Sequence, residues 1–279
     1  MDNPFNVTGN PFADHSLAII SHLAKKDSFV DLTYDDIRAI FDSGKTIADW
    51  NSRLKSFTMI FGNNGPLYQS RGKKNEKIRR EKYATILSSL SDQMYNPNKA
   101  AGICECCGNG YNCDLTLAYK NVDEKNLTEK NKNKKEQGKE KEYAIGRDYF
   151  PLIGSLGSDA QALPASSRMF SICSKCLFAI NYLPVGTRLL AGKLIVFEGA
   201  HSPFIQNLIG SIVDENISRL NSTVDGVETI GRKESTIEII DWMCDRFDEM
   251  QAQANVNLPA NAEINIWTFS NSGTSVSTV

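Results

Sequence analysis

Two stretches decide how the chain is read: CECCGNGYNCDLTLAYK, residues 104–120, and SICSKCLFAINYLPVG, residues 171–186. Each carries a Cys-x-x-Cys pair, Cys104 with Cys107 and Cys173 with Cys176. A Cys-x-x-Cys turn supplies two sulfurs at the bite that Zn²⁺ favours, and two such turns complete its tetrahedron. Gly108 lets the backbone turn back toward the metal. Nothing in zinc chemistry requires the pairs to be close in sequence, because two hairpin tips can meet in space. The residues between them are then an insertion in a loop that the metal closes. A redox dithiol is the competing use. Cys106 and Cys113 compete for ligand places, while Cys244, within an apolar helical stripe, reads as a small buried hydrophobe.

The intervening NVDEKNLTEKNKNKKEQGKEKE, residues 121–142, offers only Val122 and Leu127 to a core. Such a segment cannot bury enough apolar area to offset its ordering entropy, which predicts a flexible loop. Its mixed charges read as solvation before they read as a nucleic-acid tail.

Upstream, helical periods dominate. ADHSLAIISHLAKK, residues 13–26, places Leu17, Ile20, Leu23 and Ala24 on one face. In LTYDDIRAIFDSG, residues 32–44, Thr33 and Asp36 form a short capping-box pattern and Gly44 is the expected stop. KTIADWNSRLKSFTMIF, residues 45–61, repeats Ile47, Trp50, Leu54, Phe57 and Phe61 at helical spacing; GNNGP is a turn, and NEKIRREKYATILSSLSDQ, residues 75–93, is a further helix. Past residue 100 the segments shorten. DLTLAYK, SRMFSIC and GKLIVFEG read as strands, Ser202 with Pro203 opens a helix, and ESTIEIIDWMCDRFDEMQAQ forms another, striped by Ile237, Ile240, Met243, Cys244, Phe247 and Met250. AEINIWTFSNSG supplies a last strand and turn. The fold class is therefore α+β: a mainly helical region over 1–100 and a mixed region over 101–279 that bears a zinc-ribbon-like site.

The 279 residues, 41% apolar, suffice for one large core or two modest ones. No apolar run approaches the ~18 residues that span a bilayer, and the first twenty residues lack a signal-peptide pattern. Seven cysteines, odd in number and crowded, fit metal binding in a reducing cytoplasm better than a disulfide framework. The net charge of −2 conceals a segregation. Residues 51–100 hold ten Lys or Arg against three acids, and residues 201–279 hold four against eleven. The first region suits a polyanion and the second a basic surface or solvent. Within the basic region Lys73, Lys74, Lys77, Arg79 and Arg80 can neutralise phosphates, with Asn63, Asn64 and Tyr68 just before them to bond or stack on bases; a solvated helix face is the bland alternative. Catalysis finds little support. His15 and His22 have no carboxylate or thiol at triad or ligand spacing, and GSLGS, residues 154–158, lacks the Lys and helix start of a P-loop.

TGNPFADHSLAII (8–20), CECCG (104–108), FPLIGSLGSDAQALP (150–164), ICSKCLFAINYLPVG (172–186) and INIWTFSNSG (264–273) together resemble, in order, the large subunit of the type I-B CRISPR interference complex, Cascade. The resemblance implies a non-enzymatic, cytoplasmic antiviral protein at one end of a guide-RNA filament. It would recognise the short target-flanking motif and open double-stranded DNA while RNA pairing reads the rest. The family's zinc ligands fall on Cys104, Cys107, Cys173 and Cys176. Implied partners are guide RNA, the other Cascade subunits, target DNA and the recruited helicase-nuclease. Asn10, Asn63, Asn64 and the basic run are motif-reading candidates on chemical grounds. Family members continue past the FSNSG strand into a helical part. The runner-up is a stand-alone zinc-ribbon protein that binds DNA or adapts one protein to another.

Overall fold

The computed structural model describes residues 5–61, 76–95, 102–111, 113, 118, 149–151, 171–231, 235–254, 264–269 and 277–278. The expected strand DLTLAYK, apart from the buried Ala118, and the expected loop 121–142 lie outside them. The described residues form an α+β protein that divides into two compact units. One comprises 1–40, 50–60 and 179–279; the other comprises 41–49 and 61–178. Both draw on alternating segments, so neither coincides with 1–100 or 101–279.

In the first unit, α1 (Pro11–Leu23) starts where Asn10 Oδ1 accepts from the backbone N–H groups of Phe12 and Ala13, with Pro11 at the first helical position. The preceding turn is latched to the same helix: Asp14 accepts from Thr8 N at 2.8 Å, Thr8 Oγ1 at 2.7 Å and Gly9 N at 3.2 Å. α2 (Tyr34–Ile40) carries the predicted box, with Thr33 N and Oγ1 donating to Asp36 and Asp36 N donating back to Thr33 Oγ1 at 3.2 Å.

The periodic run 45–61 does not form one helix. α3 (Lys45–Arg53) and α4 (Ser56–Ile60) are separated at Leu54 and Lys55, where the backbone exchanges hydrogen bonds with Val227: Val227 N donates to Arg53 O, and Lys55 N donates to Val227 O. A tertiary ladder thus takes a donor, Lys55 N, and an acceptor, Arg53 O, that a continuous helix would use itself. The Arg53 guanidinium donates to the carbonyls of Leu220 and Thr223 at the end of α7 (Pro203–Ser222).

The unit's sheet runs β3 (Arg188–Leu190), β4 (Lys193–Phe197), β5 (Ile266–Phe269), β6 (Ser277–Thr278), with every neighbour antiparallel. β4 and β5 are the strands expected from GKLIVFEG and INIWTF. β3 was not foreseen. α1 packs on β4, on α7 and on the 3-10 helix Ile180–Gly186. Pro184 cannot donate to Asn181 O, and the last turn of any helix leaves its carbonyls without intrahelical donors, so these buried groups need other partners. They find them in buried polar side chains: Asn51 donates to Asn181 O at 2.9 Å, Ser56 to Pro184 O at 2.9 Å, Asn216 to Val185 O at 2.8 Å and His15 Nε2 to Gly186 O at 2.9 Å. His15 Nδ1 accepts from Phe197 N at 3.1 Å, which fixes the neutral tautomer and ties α1 to β4. Burial lowers its pKa to about 4.

α8 (Thr236–Ala254) packs on α7. It buries Ile239, Met243 and Met250, sets Phe247 edge-on to Phe204 and places Trp242 under the Arg188 guanidinium at 4.5 Å. The expected stripe is therefore corrected: Ile237, Ile240 and Cys244 are exposed. The aromatic partners of Trp242 and Phe247 rotate the helix so that Ile239, outside the stripe read from sequence, takes the core position.

In the second unit, α5 (Glu76–Tyr95) buries Tyr83, Ile86, Leu87, Leu90 and Met94. Gly44, expected to stop a helix, instead precedes α3 with φ +80°. A side chain there would stand 2.9 Å from the Ala84 carbonyl, so only glycine allows this approach to α5.

Candidate metal centre

The cysteine site lies wholly within the second unit. β1 (Gly102–Ile103) and β2 (Gly110–Tyr111) form a short antiparallel hairpin whose connection is the first Cys-x-x-Cys turn. Cys104 N donates to Asn109 O, and Gly108 N returns to Cys104 O, both at 2.8 Å. Gly108 adopts φ +71°, the left-handed conformation by which the backbone turns back after Cys107.

The second pair is not on a hairpin. Residues 171–173, expected as the end of a strand, are irregular, and α6 (Ser174–Ala179) starts directly after Cys173. The hairpin turn takes their backbone instead: Glu105 N donates to Ser171 O at 2.7 Å, and Ser171 N donates to the Glu105 carboxylate at 3.3 Å. One knuckle and one helix start therefore face each other.

The sulfurs of Cys104, Cys107, Cys173 and Cys176 all lie within 4.8 Å of one another. Cys107 Sγ and Cys173 Sγ are 3.7 Å apart. That is far beyond a disulfide bond. A tetrahedron with metal–sulfur bonds of 2.3 Å has edges of about 3.8 Å, so the spacing fits four thiolates around one ion. Two backbone amides also point at sulfur, Cys173 N at Cys104 Sγ (3.2 Å) and Cys176 N at Cys173 Sγ (3.4 Å). Cys106, buried in the same turn, and Cys113, half-buried, do not belong to the group of four.

Electrostatics explains why such a cluster calls for a cation. Hydrogen bonds from Cys107, then Cys173 and Cys176, push the Cys104 thiol far below its ordinary range. Cys104 opposes ionisation of Cys107, but Cys173 and Cys176 leave that thiol lowered to about 6. Cys104, followed by Cys107, drives Cys173 up, and Cys104, Cys106 and Cys107 drive Cys176 up. Four negative sulfurs cannot share this buried volume unaided. A divalent ion reverses the repulsion and lets all four ionise.

The expected nucleic-acid residues divide differently. Asn63, Asn64, Lys73 and Lys74 lie outside the described residues. Asn10 serves as the cap of α1. On α5, Lys77 is exposed, Arg79 is half-buried with its Nε lacking a hydrogen-bond partner among the described residues, and Arg80 pairs with Asp49 at 2.6 Å and Glu76 at 3.3 Å. His22 Nε2 donates to the Asp214 carboxylate at 2.8 Å, and His15 is fully engaged in the core. Sequence reasoning did not single out Asn51, Ser56 and Asn216 as the donors that hold the segment following the second cysteine pair. Their signal was a polar residue within an otherwise apolar helical period.

No helix among the described residues is long and apolar enough to cross a membrane. Compared with protein families, curated proteins and solved structures, the chain finds no match.

Proposed function

We propose that the four cysteines hold a structural Zn²⁺ and that the chain acts as the zinc-bearing part of the non-catalytic large subunit of a type I-B Cascade complex. In this role it contributes to reading the target-flanking motif and to opening duplex DNA. The observation that carries the zinc assignment is the closure of two distant Cys-x-x-Cys pairs into one group whose sulfur spacing suits a single tetrahedral ion. Support for the assembly comes from the five stretches that resemble the family in order. TGNPF opens and caps α1, ICSKC supplies two of the thiols, LFAINYLPVG runs through the buried segment that four polar side chains pin, and INIWTF forms β5.

On this reading the metal fixes the knuckle against α6, and the exposed Lys77, with Lys73 and Lys74, holds phosphates. Base pairing to the guide supplies most of the sequence discrimination.

Co-expression with guide RNA and the Cascade backbone subunits tests the assembly. The chain is expected to co-purify with the guide-RNA complex and to make duplex binding depend on the flanking motif. A metal-loaded chain that never joins the complex overturns this reading in favour of a stand-alone zinc-binding adaptor.

A further inference from the structure

α8 has a second amphipathic face besides the one it buries. At about 100° per residue, Ile240, Cys244 and Ile237 fall in one strip, and Asp248, Asp241 and Asp245 fall in the adjoining one. The aspartate strip lies across the helix from Ile239, Met243 and Met250, which face the core, and the apolar strip lies between the two. The exposure agrees with the wheel: Ile237 is 70% exposed, Ile240 52%, and Cys244 and the three aspartates are exposed. Glu238 is occupied at the helix start, where its carboxylate accepts from Ser235 N. The helix's one basic residue, Arg246, pairs with Glu249 at 2.8 Å. Asp241, Asp245 and Asp248 make no ion pair among the described residues.

Branched aliphatic side chains left in water beside a row of unpaired carboxylates are costly for a helix whose other face already anchors it. We propose that this face docks a basic amphipathic helix of a protein partner. Its apolar side chains would seat on Ile237, Ile240 and Cys244, and its Lys or Arg would meet Asp241, Asp245 and Asp248. Charge decides the occupant. Nucleic acid and anionic lipid are repelled by the aspartate strip, and a second copy would set the same strip against itself. A helix of 19 residues is about 28 Å long. One helix-on-helix contact of that length buries less than the roughly 1,200 Å² of stable complexes, so the contact is transient, with affinity in the micromolar range. This proposal does not rest on the assignment to Cascade, and its test involves neither guide RNA nor the metal.

The probe is a synthetic helical peptide of about twenty residues, with Leu at helical spacing and an adjoining Lys strip, compared with a twin bearing Glu in place of Lys. Fluorescence anisotropy with the full chain reads affinity, and the rate of Cys244 alkylation, mapped by mass spectrometry, reads location. The Lys peptide is expected to bind, to protect Cys244 and to weaken as salt rises, while the Glu twin does not bind. Combined Asp241→Lys, Asp245→Lys and Asp248→Lys substitution should weaken the Lys peptide at least ~10-fold and admit the Glu twin, and Ile237→Ser with Ile240→Ser should weaken it comparably. These side chains are exposed, so circular dichroism should be unchanged. Equal binding of the two peptides, binding of neither, insensitivity to the charge reversal, or protection of Cys244 by duplex DNA or by self-association would each overturn the proposal.

Discussion

The two compact units solve the same problem by different means. In the first, a buried 3-10 helix, Ile180–Gly186, is held by donors from α1, α3, α4 and α7, and the apolar side chains of Ile19 and Val213 close on its Gly186. In the second, a two-residue hairpin and a six-residue helix meet through four sulfurs. The former is distributed: each hydrogen bond contributes about 1 kcal/mol and no single one decides the fold. The latter is concentrated, because elements this short cannot bury enough area to hold their own geometry.

The sharpest way to break this contrast is to remove the ion proposed for the four sulfurs. Structural zinc contributes on the order of 10 kcal/mol to small metal-dependent folds. Cys173→Ser, or treatment with a strong chelator, is expected to release the metal and unfold the hairpin, with loss of amide protection around 102–111, while protection in α1, β4 and α7 persists. Hydrogen exchange with metal analysis reads both outcomes at once. Full metal occupancy in the variant would remove Cys173 from the site, and simultaneous loss of protection in α1 and β4 would show that the metal's contribution is not confined to its own unit.

Acid should reveal the packed unit by a smaller effect. His15 has its pKa lowered to about 4 by burial, against an ordinary value of 6.5. Between these values the unfolded chain binds a proton that the native state refuses, so stability rises with pH through this window and falls on acidification. The full difference corresponds to about 3 kcal/mol, reached below pH 4. Asp14, raised by burial, acts in the opposite direction at the acid end. A His15→Gln variant isolates the histidine: it should be less stable than the parent at pH 7 and lose most of the excess pH dependence between 4 and 6.5. Chemical denaturation across that range gives the slopes, and identical slopes would mean that the imidazole is not held neutral.

Much of the local structure could be read from residues that act on near neighbours. The Thr33–Asp36 box, the helix with Leu17 and Ile20 on one face, the GKLIVF strand and the Cys-x-x-Cys bite all depend on spacings of four residues or fewer. What escaped was set at long range. Helical periodicity across 45–61 gave no hint that Val227 would pair with the backbone at Leu54. SRMFSIC has strand composition, but Glu105 takes the Ser171 carbonyl and α6 follows at once. Cys244 looked buried because only one edge of its helix's apolar stripe, Met243, Phe247 and Met250, faces the core; Trp242 and Phe247 choose the rotation. At the cysteine cluster the two Cys-x-x-Cys pairs could be named from their spacing, with Cys106 and Cys113 as competitors until the structure brought Cys104, Cys107, Cys173 and Cys176 together. The helix start that presents two of them could not, because apolar and polar residues around Cys173 fit strand and turn equally well.

The smallest effects separate structural from binding charges along α5, a distinction that composition could not make. Arg80 reaches Asp49 and Glu76 within the second unit, whereas Lys77 is exposed. Because the Arg80 pairs are partly exposed and screened by solvent, Arg80→Ala should cost below about 1 kcal/mol of stability. Lys77→Ala should leave stability unchanged. Each phosphate contact contributes a slope of about −0.9 to the dependence of log affinity on log salt, so Lys77→Ala should shallow the duplex-DNA slope by about one contact and weaken binding to all sequences alike. If Arg80→Ala shallows the slope and Lys77→Ala does not, the phosphate-facing side of α5 is the one carrying Asp49's partner, and the ion pair seen at 2.6 Å exchanges for phosphate when DNA binds.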